Sequence, residues 1–468
     1  MGSRWACLVA VALFVPGASA RADNAEIVKK LKERGAKFDY YTEPKGNNPE
    51  VMHSHKITDA ELDLVVQLKS LRVVSLQGNK FITDDGLKRL VAMENLTELD
   101  IWGTKVTPAG LAHVAKMKKL DTLGCGLETL TDDMLRELIR LNLAHKLSLA
   151  SGPKGRPTSP DDVDYLQLYQ VHLTDEGLKL LAVFKNVRQI ELSGPKWTGA
   201  GLKHLAPLKK LTSLSPSPMS DAALKALRAE GMIHTLHWAN TGNDPRPRSE
   251  KEVTSFLFHS FGYHGVTGAG VRELADLPNL ERLDLSQMQL GDSAMKDAAT
   301  LKSLKRLDTD PRVTDEGVKA LTDLKLHTLT FAQGSRLTDA GMKHVAQIKT
   351  LRSLSLWDTK VTNEGLKELK GLKLHTLKLK REKIDDETLR VLRDLDLLHA
   401  IGIGFKGKPP ESRAEVRWIN LYQTQVTDEG LKELVGFKNL QGVTGSEKTT
   451  KKALEALRKK LPDIDIDP

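Results

Sequence analysis

The chain has 468 residues, a formal net charge of +9, 40% hydrophobic and 28% charged residues, a balance that excludes a disordered chain. Aromatics make up only 5%, so a core must be built from Leu, Val, Ile and Ala. Of the two cysteines, Cys7 falls in the first segment and Cys125 stands alone, which excludes a disulfide-stapled scaffold.

Residues 1–20 read as an export signal. Arg4 is the positive start, Trp5 to Val15 the apolar stretch, and Ala18-Ser19-Ala20 a small-residue cleavage site. The stretch is shorter than the roughly twenty apolar residues of a membrane span, and no later segment is apolar enough to cross a bilayer. The expectation is an exported protein, periplasmic, cell-surface or extracellular, whose mature chain starts near Arg21. Residues 21–55 are expected to form an N-terminal cap, with a helix over 23–34 and strands at Phe38–Tyr41 and Val51–Ser54.

From residue 56 to the end a single unit recurs. Leu96-Thr97-Glu98-Leu99-Asp100-Ile101-Trp102-Gly103-Thr104-Lys105-Val106-Thr107 matches Leu351-Arg352-Ser353-Leu354-Ser355-Leu356-Trp357-Asp358-Thr359-Lys360-Val361-Thr362, and each is followed by Gly-Leu. Paired glycines (Gly86 and Gly110, Gly177 and Gly201, Gly341 and Gly365) set a period of 24 residues. In the first half, Leu-x-x-Leu-x-Leu buries alternate positions, as a strand with one covered face requires. In the second half, Thr-Asp-x-Gly-Leu-Lys opens a helix, its Thr or Asp side chain accepting from the free N–H groups of the first turn. A unit this short covers its apolar face only against its neighbours, so the units must stack.

These residues resemble leucine-rich-repeat proteins, specifically the ribonuclease-inhibitor-like α/β class, and among them exported bacterial members with tandem Thr-Asp-x-Gly-Leu. The resemblance implies an α/β solenoid (horseshoe) over 56–468, with a parallel concave sheet and helices on the convex side. Where that family often carries Asn after the strand, only Asn79 fits; Thr104, Thr359 and Thr424 stand elsewhere. A hydroxyl serves fewer backbone groups than an amide, so these turns should be less tightly tied.

Three stretches break the rhythm, near 152–161, 241–252 and 404–412, each rich in Pro, Gly and basic residues. Proline denies a helix its N–H, so an irregular loop is expected to replace the helix there within one continuous solenoid. Ile464-Asp465-Ile466-Asp467 reads as a closing strand with a charged outer face.

No constellation of unlike catalytic groups emerges, so the reading is a non-enzyme without cofactor or metal. His53-Ser54-His55 lacks a third metal ligand, as do His237 and His259. Gly402-Ile403-Gly404 lacks the strand–turn–helix setting of a phosphate loop. Asp463, Asp465 and Asp467 read as capping rather than calcium ligands, and Cys125, aligned with Ile101 and Leu192, as a core thiol. Seven lysines at one repeat position (Lys88, Lys179, Lys203, Lys319, Lys343, Lys367 and Lys432) describe a solvated helix face, not a nucleic-acid stripe.

The outward strand positions are mostly small or polar, and aromatics stand out among them. Trp102, Tyr169, Trp357 and Tyr422 follow the last apolar strand residue, while Tyr165 and Trp418 open their strands. With Lys378 and Lys380 they are the candidate binding residues, beside the alternative that each packs on its neighbour. Glu98 and Asp100 flank Trp102; Arg282, Asp284, Arg306, Asp308 and Asp310 are expected to pair among themselves. The function read is a binding scaffold for a protein or peptide on the concave face. A glycan ligand, or a structural, self-associating envelope component, are the alternatives.

Overall fold

A computed structural model describes residues 18–40, 48–242, 246–258, 265–461 and 464–467. Arg4, Cys7 and the apolar stretch of the expected export signal lie outside the described residues, as do Tyr41, His259 and Asp463. The chain forms two compact units, Met1–Leu211 and Thr212–Pro468.

In the first unit a helix, Ala18–Glu33, precedes the strand Lys37–Asp39, which pairs antiparallel with Val51–His53. A parallel ladder then runs through Val51–His53, Val73–Ser75, Glu98–Asp100 and Thr122–Gly124. A later pair, Tyr165–Leu168 and Gln189–Ser193, is also parallel. In the second unit the longest parallel run joins Ser255–Leu257, Arg282–Asp284, Arg306–Asp308, Thr328–Thr330, Ser353–Ser355 and Thr376–Lys378. Val416–Asn420, Gly442–Thr444 and Asp465–Asp467 follow as a last parallel set. The register stacks like on like: Leu283, Leu307, Leu329, Leu354 and Leu377 are successive partners, each 0–3% exposed. Each such leucine contributes about 1.5–3 kcal/mol by leaving water, so the leucine column is the spine of the unit. Cys125 belongs to the same kind of column and is fully buried; burial first, and the nearby Asp100, push its thiol up to about 12.

The Thr-Asp-x-Gly motif has a second job beyond capping its own helix. Asp339 accepts from both the N–H and the Oγ1–H of Thr362 in the next repeat, each at 2.7 Å. The same latch joins Asp59 to Thr83, Asp84 to Thr107, Asp175 to Thr198 and Asp315 to Thr338. The Thr hydroxyl meanwhile caps its own helix, as Thr362 does from the Glu364 N–H. The glycine three residues on makes room: a Cβ on Gly86, Gly201, Gly341 or Gly365 would overlap the Oδ1 of the preceding repeat's aspartate. Where that aspartate is missing the constraint lifts, and Met134 follows Pro108 while Ala294 follows Gly268.

All three breaks are real, but they are not irregular, and neighbouring strands there are antiparallel rather than parallel as expected. Ala150–Ser151 pairs with Tyr165–Leu168, Ala239–Asn240 with Ser255–Leu257, and Ile403–Gly404 with Val416–Asn420. Each break follows a nine-residue helix: Asp132–Arg140, Asp221–Ala229 or Asp386–Asp394. A residue at positive φ (Asn142, Gly231, Asp396) then leads into a 3₁₀ turn holding His145, His234 or His399. A second 3₁₀ turn replaces the helix, and a carboxylate in it (Asp162, Glu252, Glu415) accepts from the backbone N–H four residues earlier. The helix layer ignores the interruption: Thr174 latches onto Asp132, Thr267 onto Asp221 and Thr427 onto Asp386. Each break therefore inserts a strand without inserting a helix.

The loop residue after the strand behaves as its chemistry predicts. Buried Asn79 donates to Ile57 O (2.9 Å) and Ser54 O (3.4 Å), both in the preceding repeat, and accepts from Phe81 N. Thr104 and Thr359 serve two groups each, both within their own turn.

Candidate binding surface

Strand residues alternate between the leucine column and the open face of the sheet, so the outward residues are placed by the register. In the second unit Ser353 lies beside Thr376 and Ser355 beside Lys378; Trp357 and Lys380 lie in the turns that follow these two strands. Trp357 is 49% exposed, Lys378 exposed and Lys380 half-buried. The third break does not part this group from the next strands. Arg381 donates to Asn420 Oδ1 (3.0 Å) and Tyr422 O (2.9 Å), bringing the Lys380 turn against the Tyr422 turn. Tyr422 is 51% exposed, and its N–H is held by Asn420 Oδ1 at 2.9 Å.

Trp418 behaves differently. It is half-buried, and a Cβ on Gly442, its partner across the ladder, would overlap its ring. The indole thus covers the next strand, with Ile403 opposite it at 45% exposed. Trp418 is a packed floor, not a free anchor.

The first-unit candidates are engaged by carboxylates. Tyr169 donates to Glu191, and the Tyr165 phenol is pushed up to about 12 by burial and then by Glu191. Half-buried Trp102 offers its N–H to Asp100 at 3.2 Å. Burial first, and the charge of Glu98 beyond it, push the Asp100 carboxyl up to about 6, the Trp102 N–H opposing them. Near neutral pH this is an acidic surface.

The expected ladder of charges is present in part. Arg282 reaches Asp308 at 3.4 Å and Asp284 at 3.8 Å, and Arg306 reaches Asp308 at 3.3 Å. Asp310 does not join it: fully buried, it accepts from the N–H groups of Leu290 and Arg312. The repeat-position lysines are exposed, and Lys179, Lys319, Lys367 and Lys432 pair with a glutamate three residues earlier.

Among the described residues no group of three or more His, Cys, Asp or Glu could hold a metal ion. His53 lies 3.5 Å from Asp39, and His55 contacts Gln77 O. His237 packs tilted against Trp238 with ring centroids 4.3 Å apart and meets Ser215 Oγ at 3.0 Å. Ile403–Gly404 is strand, followed by a three-residue 3₁₀ turn, Phe405–Gly407, rather than by an α-helix. No helix among the described residues is long and apolar enough to cross a membrane. Sequence reading missed Arg381 and Ile403. Arg381 sits in a Lys-Arg-Glu-Lys run that reads as solvated, and Ile403 in a break whose strand pairing carries no periodic signal.

A family model described as leucine-rich repeat matches residues 67–91. The leucine-rich repeat-containing protein 42 of Danio rerio is 27% identical over 153 residues, covering 28% of this chain and 37% of that protein, so the chain spans little more than a third of its length. An internalin from Listeria monocytogenes aligns over 96% of this chain and 94% of its own at 16% identity and a TM-score of 0.27. A leucine-rich-repeat protein of Leptospira interrogans aligns over 86% of each chain at 17% identity and a TM-score of 0.28. The recurring strand–turn–helix unit, its leucine columns and the matched repeat together identify the chain as a leucine-rich-repeat protein of the α/β solenoid class.

Proposed function

We propose that this chain is a non-catalytic, exported scaffold that recognises a protein or peptide on the open, concave face of its sheet. One observation carries the reading: Trp357 and Tyr422 are large, half-exposed aromatics, and the Tyr422 backbone is held by Asn420 and Arg381. Trp and Tyr are enriched among the side chains that dominate binding energy, and a preformed surface loses little entropy on association. Export rests on the charged start, apolar run and Ala18-Ser19-Ala20; N-terminal sequencing of the native protein should begin near Arg21.

Recognition is tested by pull-down from the native envelope fraction. Trp357→Ala and Tyr422→Ala should each release the partner seen with wild type, while Lys343→Ala and Lys367→Ala on the helix face should retain it. The reverse pattern would move the functional surface to the convex side. Binding on a glycan array that is lost in the same aromatic variants would select the glycan reading. Concentration-dependent sedimentation of the wild type without any partner would select self-association.

A further inference from the structure

The third break is preceded by a repeat whose strand-to-helix edge is open. A cavity of about 270 Å³ lies there, floored by Leu356, Val361, Leu366 and Leu379 and rimmed by Lys380 and Lys383, with no carboxylate among its lining residues. It exists because the turn after the strand differs. Where Trp357-Asp358-Thr359-Lys360-Val361 follows one strand, Arg381–Lys383 coils into a 3₁₀ turn after the next; Leu379 is left half-exposed at the cavity, while Leu356, Val361 and Leu366 beneath it are 3–6% exposed.

We propose that this cavity is the specificity pocket of the binding surface, and that its occupant is one aliphatic or aromatic side chain of an extended acidic polypeptide. The proposal rests on the recognition reading above and names its ligand class. Small-molecule sites span roughly 300–1,000 Å³; this one falls below that range and suits a single side chain. Charge selects the flanking residues. Lys383 Nζ donates to Thr359 O (2.7 Å) and Val361 O (3.4 Å), which fixes the ammonium at the mouth with its third N–H still to give. Among the described residues neither Lys378 nor Lys380 forms an ion pair. A carboxylate on either side of the inserted residue meets these ammonium groups, and the chain beyond it continues onto Trp357 and Tyr422. A glycan supplies no side chain for the apolar floor.

The test uses the full chain, immobilised and panned with a displayed random peptide library. Selected peptides are then synthesised and titrated by fluorescence anisotropy. Enrichment of Leu, Ile, Met or Phe beside Asp or Glu is expected. Replacing that apolar residue by Ser, or the acids by Lys, should weaken binding by about tenfold or more. Leu379→Trp, which fills the cavity from its half-exposed wall, and Lys380→Glu on the rim should each weaken it by about fivefold or more. An unchanged melting temperature checks the fold, and the two variants alter different parts of the site. No enrichment, enrichment without an apolar residue beside acid, or wild-type binding by both variants overturns the proposal. If Trp357→Ala and Tyr422→Ala lose the selected peptides while both pocket variants keep them, the open-face reading survives and the pocket falls. If all four are silent, both fall.

Discussion

Two adjacent repeat interfaces in the second unit are joined by opposite chemistry. In the first, Asp339 accepts two hydrogen bonds from Thr362, and Gly365 leaves space for the carboxylate. In the next, Asn363 occupies the aspartate position and Asp385 the threonine position, and donor and acceptor trade places: Asn363 Nδ2 donates to Asp385 Oδ1 at 3.2 Å. The glycine is replaced by Thr388, whose one hydroxyl proton is shared between Asp385 Oδ1 at 2.8 Å and Asn363 Oδ1 at 2.9 Å. Burial works against the Asp385 carboxylate, but the N–H and hydroxyl of Thr388 and the Asn363 amide outweigh it and hold its pKa below the usual value. Three substitutions that would each be damaging alone are compatible together. The second interface also carries the pocket, with Asn363 and Thr388 in its lining. Regular latches close the stack, and this altered one leaves an opening.

The comparison can be broken most forcefully at the column both interfaces share. Leu354→Ala should cost about 2–5 kcal/mol as a buried leucine loss, whereas Ser355→Ala, on the open face, should stay within about 0.5 kcal/mol; urea melts of the two variants measure both. Equal effects would mean that the strand faces are misassigned.

The latch comes next. Gly365→Ala should cost about 1–3 kcal/mol, the usual range for overpacking, and Asp339→Ala a similar amount through two lost charge-assisted hydrogen bonds. The double variant sharpens the contrast. The new methyl collides most closely with the carboxylate that Asp339→Ala removes, leaving the contact with Val361 Cγ1 at 2.9 Å, so Gly365→Ala should cost less on that background. Simple additivity would refute the steric account of the glycine. Pro108 with Met134 already shows the chain using that combination.

A smaller effect separates the breaks from the acidic surface of the first unit. His145 and His399 are 4% and 6% exposed with Nδ1 unpartnered. Burial holds both imidazoles below the ordinary value; Lys146 adds to this at His145 and Asp162 opposes it, while at His399 Leu374 and Asp396 oppose it. The folded state thus takes up protons less readily than the unfolded one. This contribution is full above about pH 6.5 and drains as pH falls through the lower folded values. Asp100 has the opposite sign: with its folded pKa raised to about 6, its contribution favours folding in acid and is lost as pH rises through that value. Melting temperatures between neutral and mildly acidic pH should therefore fall less steeply for a His145→Gln/His399→Gln variant than for wild type. They should fall more steeply for Asp100→Asn, which no longer gains on acidification. Parallel curves for all three would remove these groups from the pH response.

The sequence by itself determined the period, the strand facing, the helix starts and the location of all three breaks. Each is a local matter, since alternation, capping chemistry and proline act within a few residues. The aromatic candidates were also legible as residue types at outward positions. Only tertiary structure separated them, because exposure depends on what the neighbouring repeat presents: Gly442 lets Trp418 lie flat, Glu191 engages Tyr169, and Trp357 and Tyr422 stay open. The latch was half legible. The recurrence of Thr-Asp-x-Gly is plain, yet its aspartate bonds a residue 22 to 46 positions later, beyond the reach of any capping rule. The antiparallel reversals and the pocket were not legible at all, because both arise from how one repeat fails to cover the next.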